Sequence, residues 1–181
     1  MARPREFDTD LALNQMRDIF WMSGFEGSSL STLVSATGVH KASLYAAFGT
    51  KQDIFCKALV NYEQIHIRAC IDMMAKLGGR KALEALLMAP VEAVSNGDRR
   101  GCFLCNSSGD YASLDKAAAA IVDRGQDMML DAIGKALEEA DIMHVQPGEV
   151  LAIYFGQRVL SRSSMAPQAI KQIARSVIDR L

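Results

Sequence analysis

Residues 24–59 read GFEGSSLSTLVSATGVHKASLYAAFGTKQDIFCKAL, and how this stretch divides into helices decides the fold. Ser28 or Ser29 stands where a helix N-cap is wanted, its hydroxyl suited to the unspent amides of a first turn. Leu30, Leu33 and Val34 follow at helical spacing, and Gly38 closes that short helix. Lys41 to Phe48 form a second short helix, with Leu44 and Phe48 on one side and Lys41 and Tyr45 on the other. Leu33, Val39, Leu44 and Phe48 then make one apolar underside around a glycine corner. This is the pattern of a helix-turn-helix over about residues 29–48, in which a short, rigidly braced second helix is shaped to enter a major groove.

Upstream, Leu13, Met16 and Phe20 recur at helical spacing after the cap candidates Asp8 and Thr9. That helix should stop at Ser23-Gly24-Phe25, with Gly24 as C-cap and Phe25 folding back. Downstream, a long fourth helix is expected from Lys51 to about Met74, ending before Gly78-Gly79. A fifth helix covers residues 80–95, where Pro90 should kink or stop it, and Asn96-Gly97-Asp98 is a turn. A sixth helix is expected from about Cys102 to Ala112 and a seventh from Lys116 to about Ala140. Pro147-Gly148 precedes an eighth, and Pro167 starts a ninth that ends at Leu181. No β-like alternation of useful length interrupts them. The expected fold class is all-α with about nine helices. Residues 1–62 form a three-helix helix-turn-helix domain, joined through the long fourth helix to a helical domain over residues 63–181.

Composition narrows the rest. Half of the 181 residues are hydrophobic and 23% are charged, a globular balance and not a disordered one. The net charge is −1, so any basic surface must be local. There is no run of about 18 apolar residues to span a membrane. The opening MARPREFDTD lacks the apolar stretch of a signal peptide, so a cytoplasmic location is expected. Cys56, Cys70, Cys102 and Cys105 are too few for a disulfide scaffold and are expected as thiols. Cys102 and Cys105 have the CxxC spacing, but a zinc site needs four ligands and no second pair exists. A buried structural thiol is the plainer reading; Arg99, Arg100 and a helix N-terminus nearby would favour a Cys102 thiolate if the pair were a redox sensor. No nucleophile triad, paired-carboxylate pattern or phosphate loop stands out, so no enzyme, cofactor or metal is expected.

The same stretch resembles the DNA-binding signature of the TetR family of transcriptional regulators. The resemblance is carried by Gly24-Phe25, the serine pair, Gly38-Val39, Leu44-Tyr45, Phe48 and Lys51. ARPREFDTDLAL also resembles the Arg-Pro-Arg arm of many members, so the similarity covers roughly residues 3–62. Gly101-Cys102-Phe103-Leu104, followed by Asn106, is similar to the start of the sixth helix in one broad group of members. The resemblance implies a dimeric, cytoplasmic repressor of double-stranded operator DNA carrying an inverted repeat, released by a small-molecule effector. It assigns phosphate contacts to Ser29 and Lys51, recognition-helix contacts to Lys41, Ala42, Ser43 and Tyr45, and an arm to Arg3 and Arg5. His40 departs from the serine common there and brings either a weaker cap or an imidazole facing phosphate. Ala46 and Ala47 replace bulky or polar residues, which shifts base reading toward Lys41, thymine methyls and DNA shape. Residues 1–62 hold six Lys or Arg and six Asp or Glu, so the basic groups must gather on one face.

The resemblance also implies that the last two helices pair between protomers. Ile170, Ile173, Val177 and Leu181 form a stripe in the ninth helix; Val150, Ile153, Tyr154 and Leu160 do so in the eighth. Ile153, Leu160, Ile170, Ile173 and Val177 are the expected dimer seam. Phe103, Asn106, Tyr111, Met128 and Tyr154 are the candidate pocket, an apolar wall with a few polar handles. Two other readings stand beside this one. The input is chemical, at Cys102 and Cys105; or the chain is a helical small-molecule-binding protein without DNA binding, which an absence of salt-sensitive DNA affinity would reveal.

Overall fold

The computed structural model describes residues 7–181, so Arg3 and Arg5 lie outside the described residues. Helix α1 (Thr9–Ser23) starts where the Asp8 carboxylate accepts from the amides of Asp10 and Leu11. It buries Ala12, Met16, Phe20 and Trp21 and ends at Gly24 with φ 71°. Phe25 folds back as expected, its ring 6.4 Å from Phe20 and 5.1 Å from Phe55. Helix α2 (Leu30–Thr37) is capped by Ser29, and helix α3 (Lys41–Phe48) follows after the corner at Gly38.

Helix α4 starts at a capping box, in which Thr50 and Asp53 satisfy each other's backbone amides. That hydrogen bonding from Thr50 holds the Asp53 carboxyl below its ordinary range. The helix runs as Lys51–Tyr62, loosens into a π turn at Glu63–Ile67, and resumes as Arg68–Leu77. The π turn brings Glu63 inward, where its carboxylate accepts from Arg124 at 2.8 Å. Helix α5 (Gly79–Ser95) carries Pro90 and continues past it, so the proline does not end the helix. Helix α6 (Phe103–Gly109) is shorter than its sequence suggested; Ala112 lies in a separate 3₁₀ turn, Tyr111–Ser113. The remaining helices are α7 (Lys116–Glu139), α8 (Pro147–Leu160) and α9 (Pro167–Ile178), the last ending three residues before Leu181. The described residues are therefore all-α, nine helices with α4 counted as one, and none is long and apolar enough to cross a membrane.

Packing makes one principal core. It runs from Met16, Phe20, Leu33 and Leu44 through Phe55 and Tyr62 to Phe103, Met129, Ile133 and Tyr154. The core therefore crosses residue 62 without a break, and α4 belongs to both regions. A small second cluster joins Val91 and Val94 of α5 to Ile170 and Ala174 of α9. At the entry to α6, Gly101 has φ +77°, and a Cβ there would sit 2.9 Å from the Arg158 carbonyl. Only glycine lets this loop lie against α8.

Candidate nucleic-acid interface

The α2–α3 pair is braced from beneath. Leu33 and Leu44 are fully buried and Phe48 nearly so, packed in the same core as Phe20, Ile54 and Phe55. Gly38 takes the left-handed conformation, φ 66° and ψ 8°, which costs other L-residues about 1–2 kcal/mol. The last turn of α3 is pinned by Lys57, whose Nζ donates to the Phe48 carbonyl at 3.0 Å. A rigid underside leaves the opposite face of α3 to solvent: Lys41, Ala42, Tyr45, Ala46 and Ala47 are exposed, and Ser43 is half-buried. Lys41 Nζ lies 5.5 Å from the Tyr45 ring, so the two polar groups of that face sit together.

Two helix N-termini flank this face. The Ser29 hydroxyl is exposed, accepts from the Thr32 amide at 3.1 Å and shares hydrogen bonds with the Ser31 and Thr32 hydroxyls. Lys51 is half-buried, with its ammonium 4.1 Å from the Phe25 ring, a cation–π contact that fixes where its charge points. His40 is exposed and makes no side-chain cap bond, so its imidazole is unspent at the start of α3. Sequence reading did not find the Lys57 pin or the Thr50–Asp53 box. The Thr-x-x-Asp spacing was a legible signal for the box; Lys57 reaches back nine residues, which no local pattern marks.

The five candidate pocket residues do not converge. Phe103 and Tyr154 are buried in the principal core, with Phe103 5.7 Å from the Tyr62 ring. Asn106 instead ties elements together, donating to the carbonyls of Trp21 at 3.1 Å and Arg100 at 3.0 Å. Tyr111 is exposed, and its hydroxyl donates to Asp123. Met128 lines a separate groove of about 300 Å³ between α4 and α7, with Ile71, Met74 and Lys135. What gathers around Phe103 and Tyr154 is a set of polar groups that sequence gave no reason to join. The Tyr62 hydroxyl donates to Cys102 Sγ at 3.4 Å; Arg158 Nε donates to the Tyr154 hydroxyl at 3.0 Å. Gln157, 1% exposed, has neither amide atom paired among the described residues.

The cysteines require a correction. Arg99 and Arg100 do not serve Cys102: Arg99 donates to the carbonyls of Ser161, Ser163 and Met165, and Arg100 pairs with Asp98. The cation of this core is Arg158, 56 residues further on, where burial works against the charge and the surrounding Tyr154, Cys102 and Tyr62 groups outweigh it. Burial pushes the Cys105 thiol up to about 12 and the Cys70 thiol up to about 11, so both stay protonated at neutral pH.

In the expected seam, Ile170 is fully buried against α5 of its own protomer and offers nothing outward. Ile153, Leu160, Ile173 and Val177 are half-buried. Val159, 55% exposed, lies beside exposed Ala152 and Gly156 on the outer face of α8.

A braced helix-turn-helix at the end of an all-helical body defines a DNA-binding regulator. Residues 13–57 match the family model described as bacterial regulatory proteins, tetR family. The chain is 30% identical to the HTH-type transcriptional repressor ComR of Escherichia coli (strain K12), over 98% of this chain and 90% of that one. It is 29% identical to the HTH-type transcriptional regulator YezE of Bacillus subtilis (strain 168), over 100% of this chain and 94% of that one. Its fold matches a cysteine mutant of the TetR family transcriptional regulator CifR complexed with 26bp double-strand operator DNA, with a TM-score of 0.81, 25% identity and 98% of each chain covered. The chain belongs to the TetR family of transcriptional regulators.

Proposed function

We propose that this regulator is a cytoplasmic homodimeric repressor, and not an enzyme, that grips an inverted-repeat operator and is released by a small-molecule effector. The observation that carries the reading is the exposed Lys41–Tyr45 face of α3, held over a buried Leu33–Leu44–Phe48 underside. Residues 1–62 bind DNA in this reading, and residues 63–181 dimerise and sense. Ser29 and Lys51 hold phosphates at two helix N-termini, where unspent amides favour anions. Lys41, Ala42, Ser43 and Tyr45 meet the groove, and His40 meets a phosphate. Two-fold symmetry demands two matching half-sites, with centres about one helical turn or somewhat more apart. Selecting bound sequences from random duplexes and footprinting the winner should reveal that symmetry; a single asymmetric half-site would overturn the dimeric reading.

The effector is read by the core around Phe103 and Tyr154, and on α8 the buried Gln157 keeps both amide atoms unspent among the described residues. A ligand that prefers one spacing of the two recognition helices shifts the population by its difference in affinity. The Tyr62–Cys102 contact supports a second reading, a thiol sensor at Cys102 with the buried, protonated Cys105 as its CxxC partner. Mass spectrometry of the thiols after mild peroxide, beside an operator titration, separates the two. Oxidation at Cys102 that tracks loss of DNA binding favours the sensor, and DNA binding that survives oxidation removes it.

A further inference from the structure

A cleft of about 650 Å³ lies where α1 ends, lined by Met22, Gly97, Asp98, Arg99, Arg100 and Arg162 among others. That volume is within the range of small-molecule sites. Three stretches far apart in sequence meet there: the end of α1, the turn after α5, and the segment after α8. Three guanidinium groups line one concavity, and only one of them is neutralised. Arg100 pairs with Asp98 at 2.8 Å and with Asp18 at 3.4 Å. Arg99 and Arg162 have no carboxylate partner among the described residues. Each is instead pinned through a single nitrogen to backbone carbonyls. Arg99 Nη1 reaches Ser163 at 2.6 Å and Met165 at 3.2 Å; Arg162 Nη2 reaches Met22 at 3.2 Å. The pins orient the two forks while leaving their other N–H groups unspent, and a planar fork held in place is suited to bidentate capture of a carboxylate or phosphate. With three guanidinium groups against the one Asp98 carboxylate, the lining is net positive and raises the local concentration of anions.

We propose that this cleft is a binding site for a small multivalent anion carrying at least two carboxylate or phosphate groups, one for Arg99 and one for Arg162. The lining of this cleft includes neither Phe103 and Tyr154 nor the candidate DNA-binding residues, and its occupancy is measured without DNA. The exposed Met22 side chain gives the ligand body an apolar edge, and Gly97 presents no side chain to block it. A ligand bridging Arg99 and Arg162 fastens the turn after α5 to the segment after α8.

The test is calorimetric titration of the full-length protein with citrate and with pyrophosphate, against acetate at matched ionic strength. Trp21, the single tryptophan, lies under the Arg100 guanidinium at 3.9 Å and gives a parallel fluorescence signal. Saturable binding of either multivalent anion below about 1 mM is expected. The stronger of the two tells whether carboxylate or phosphate is the preferred group. Arg99→Gln with Arg162→Gln should weaken it at least tenfold. Because Arg99 braces the segment after α8, Met22→Glu is the second variant: it places a carboxylate at the exposed edge of the cleft, leaves every arginine in place, and should also abolish binding. Acetate matching citrate and pyrophosphate, no saturable heat for either, or full binding by Met22→Glu would each overturn the proposal. An operator titration on the same samples reports on DNA binding separately, so failure of the cleft and failure of the repressor reading are distinguishable.

Discussion

Lys41 and Lys51 carry the same charge and are expected to fail differently. Lys41 opens α3 on its solvent face, so its loss should cost about 1–3 kcal/mol on the selected operator and far less on scrambled duplex. Lys51 stands at the start of α4 beside the Phe25 ring, aimed by packing and not by sequence. Lys51→Ala should weaken every duplex alike and lower the salt slope by about one unit. Titrations of both variants at several salt concentrations check the pair. Equal losses on both duplexes for Lys41→Ala would make Lys41 a second phosphate clamp.

Among the elements, α8 carries an unspent apolar surface. Ala152, Gly156 and Val159 recur along one outward face, and Val159 is exposed in the single chain although it is fully apolar. Ile170 was the wrong emblem of the seam, because its helix turns that side toward Val91 and Val94. Periodicity says that a helix has an apolar stripe; it does not say whose core the stripe faces. Val159→Asp should leave the helical content of the protomer unchanged and shift sedimentation from dimer to monomer, since a charge buried at a seam lacks a partner. A dimer that survives this change would move the seam away from α8.

On the scale of the whole molecule, the regions on either side of residue 62 are bound by one hydrophobic core and by polar ties at the end of α1. The ties are Asn106 to the Trp21 carbonyl, Arg162 to the Met22 carbonyl, and the Arg100 guanidinium over the Trp21 ring. Such welding leaves no weak boundary at which one half opens alone. Thermal unfolding followed by Trp21 fluorescence and by far-ultraviolet circular dichroism should therefore give coincident transitions. Two separated transitions would mean that the core is less continuous in solution than its packing implies.

The sequence by itself determined the nine helices, the Gly38 corner, the bounds of α3 and the braced underside. Each of these rests on neighbours within a few residues: a cap, a glycine, an apolar repeat. It also carried the family resemblance, because that signature is a contiguous stretch. Only the tertiary structure decided that Arg158, and not Arg99 or Arg100, accompanies Cys102. It likewise separated Tyr111 and Met128 from Phe103, buried Ile170 within its own protomer, and gathered three arginines at the end of α1. Local hydrogen bonding and periodicity fix elements, whereas the partners of a guanidinium, a thiol or a stripe come from segments 40 to 140 residues away, brought together by packing that no local pattern records.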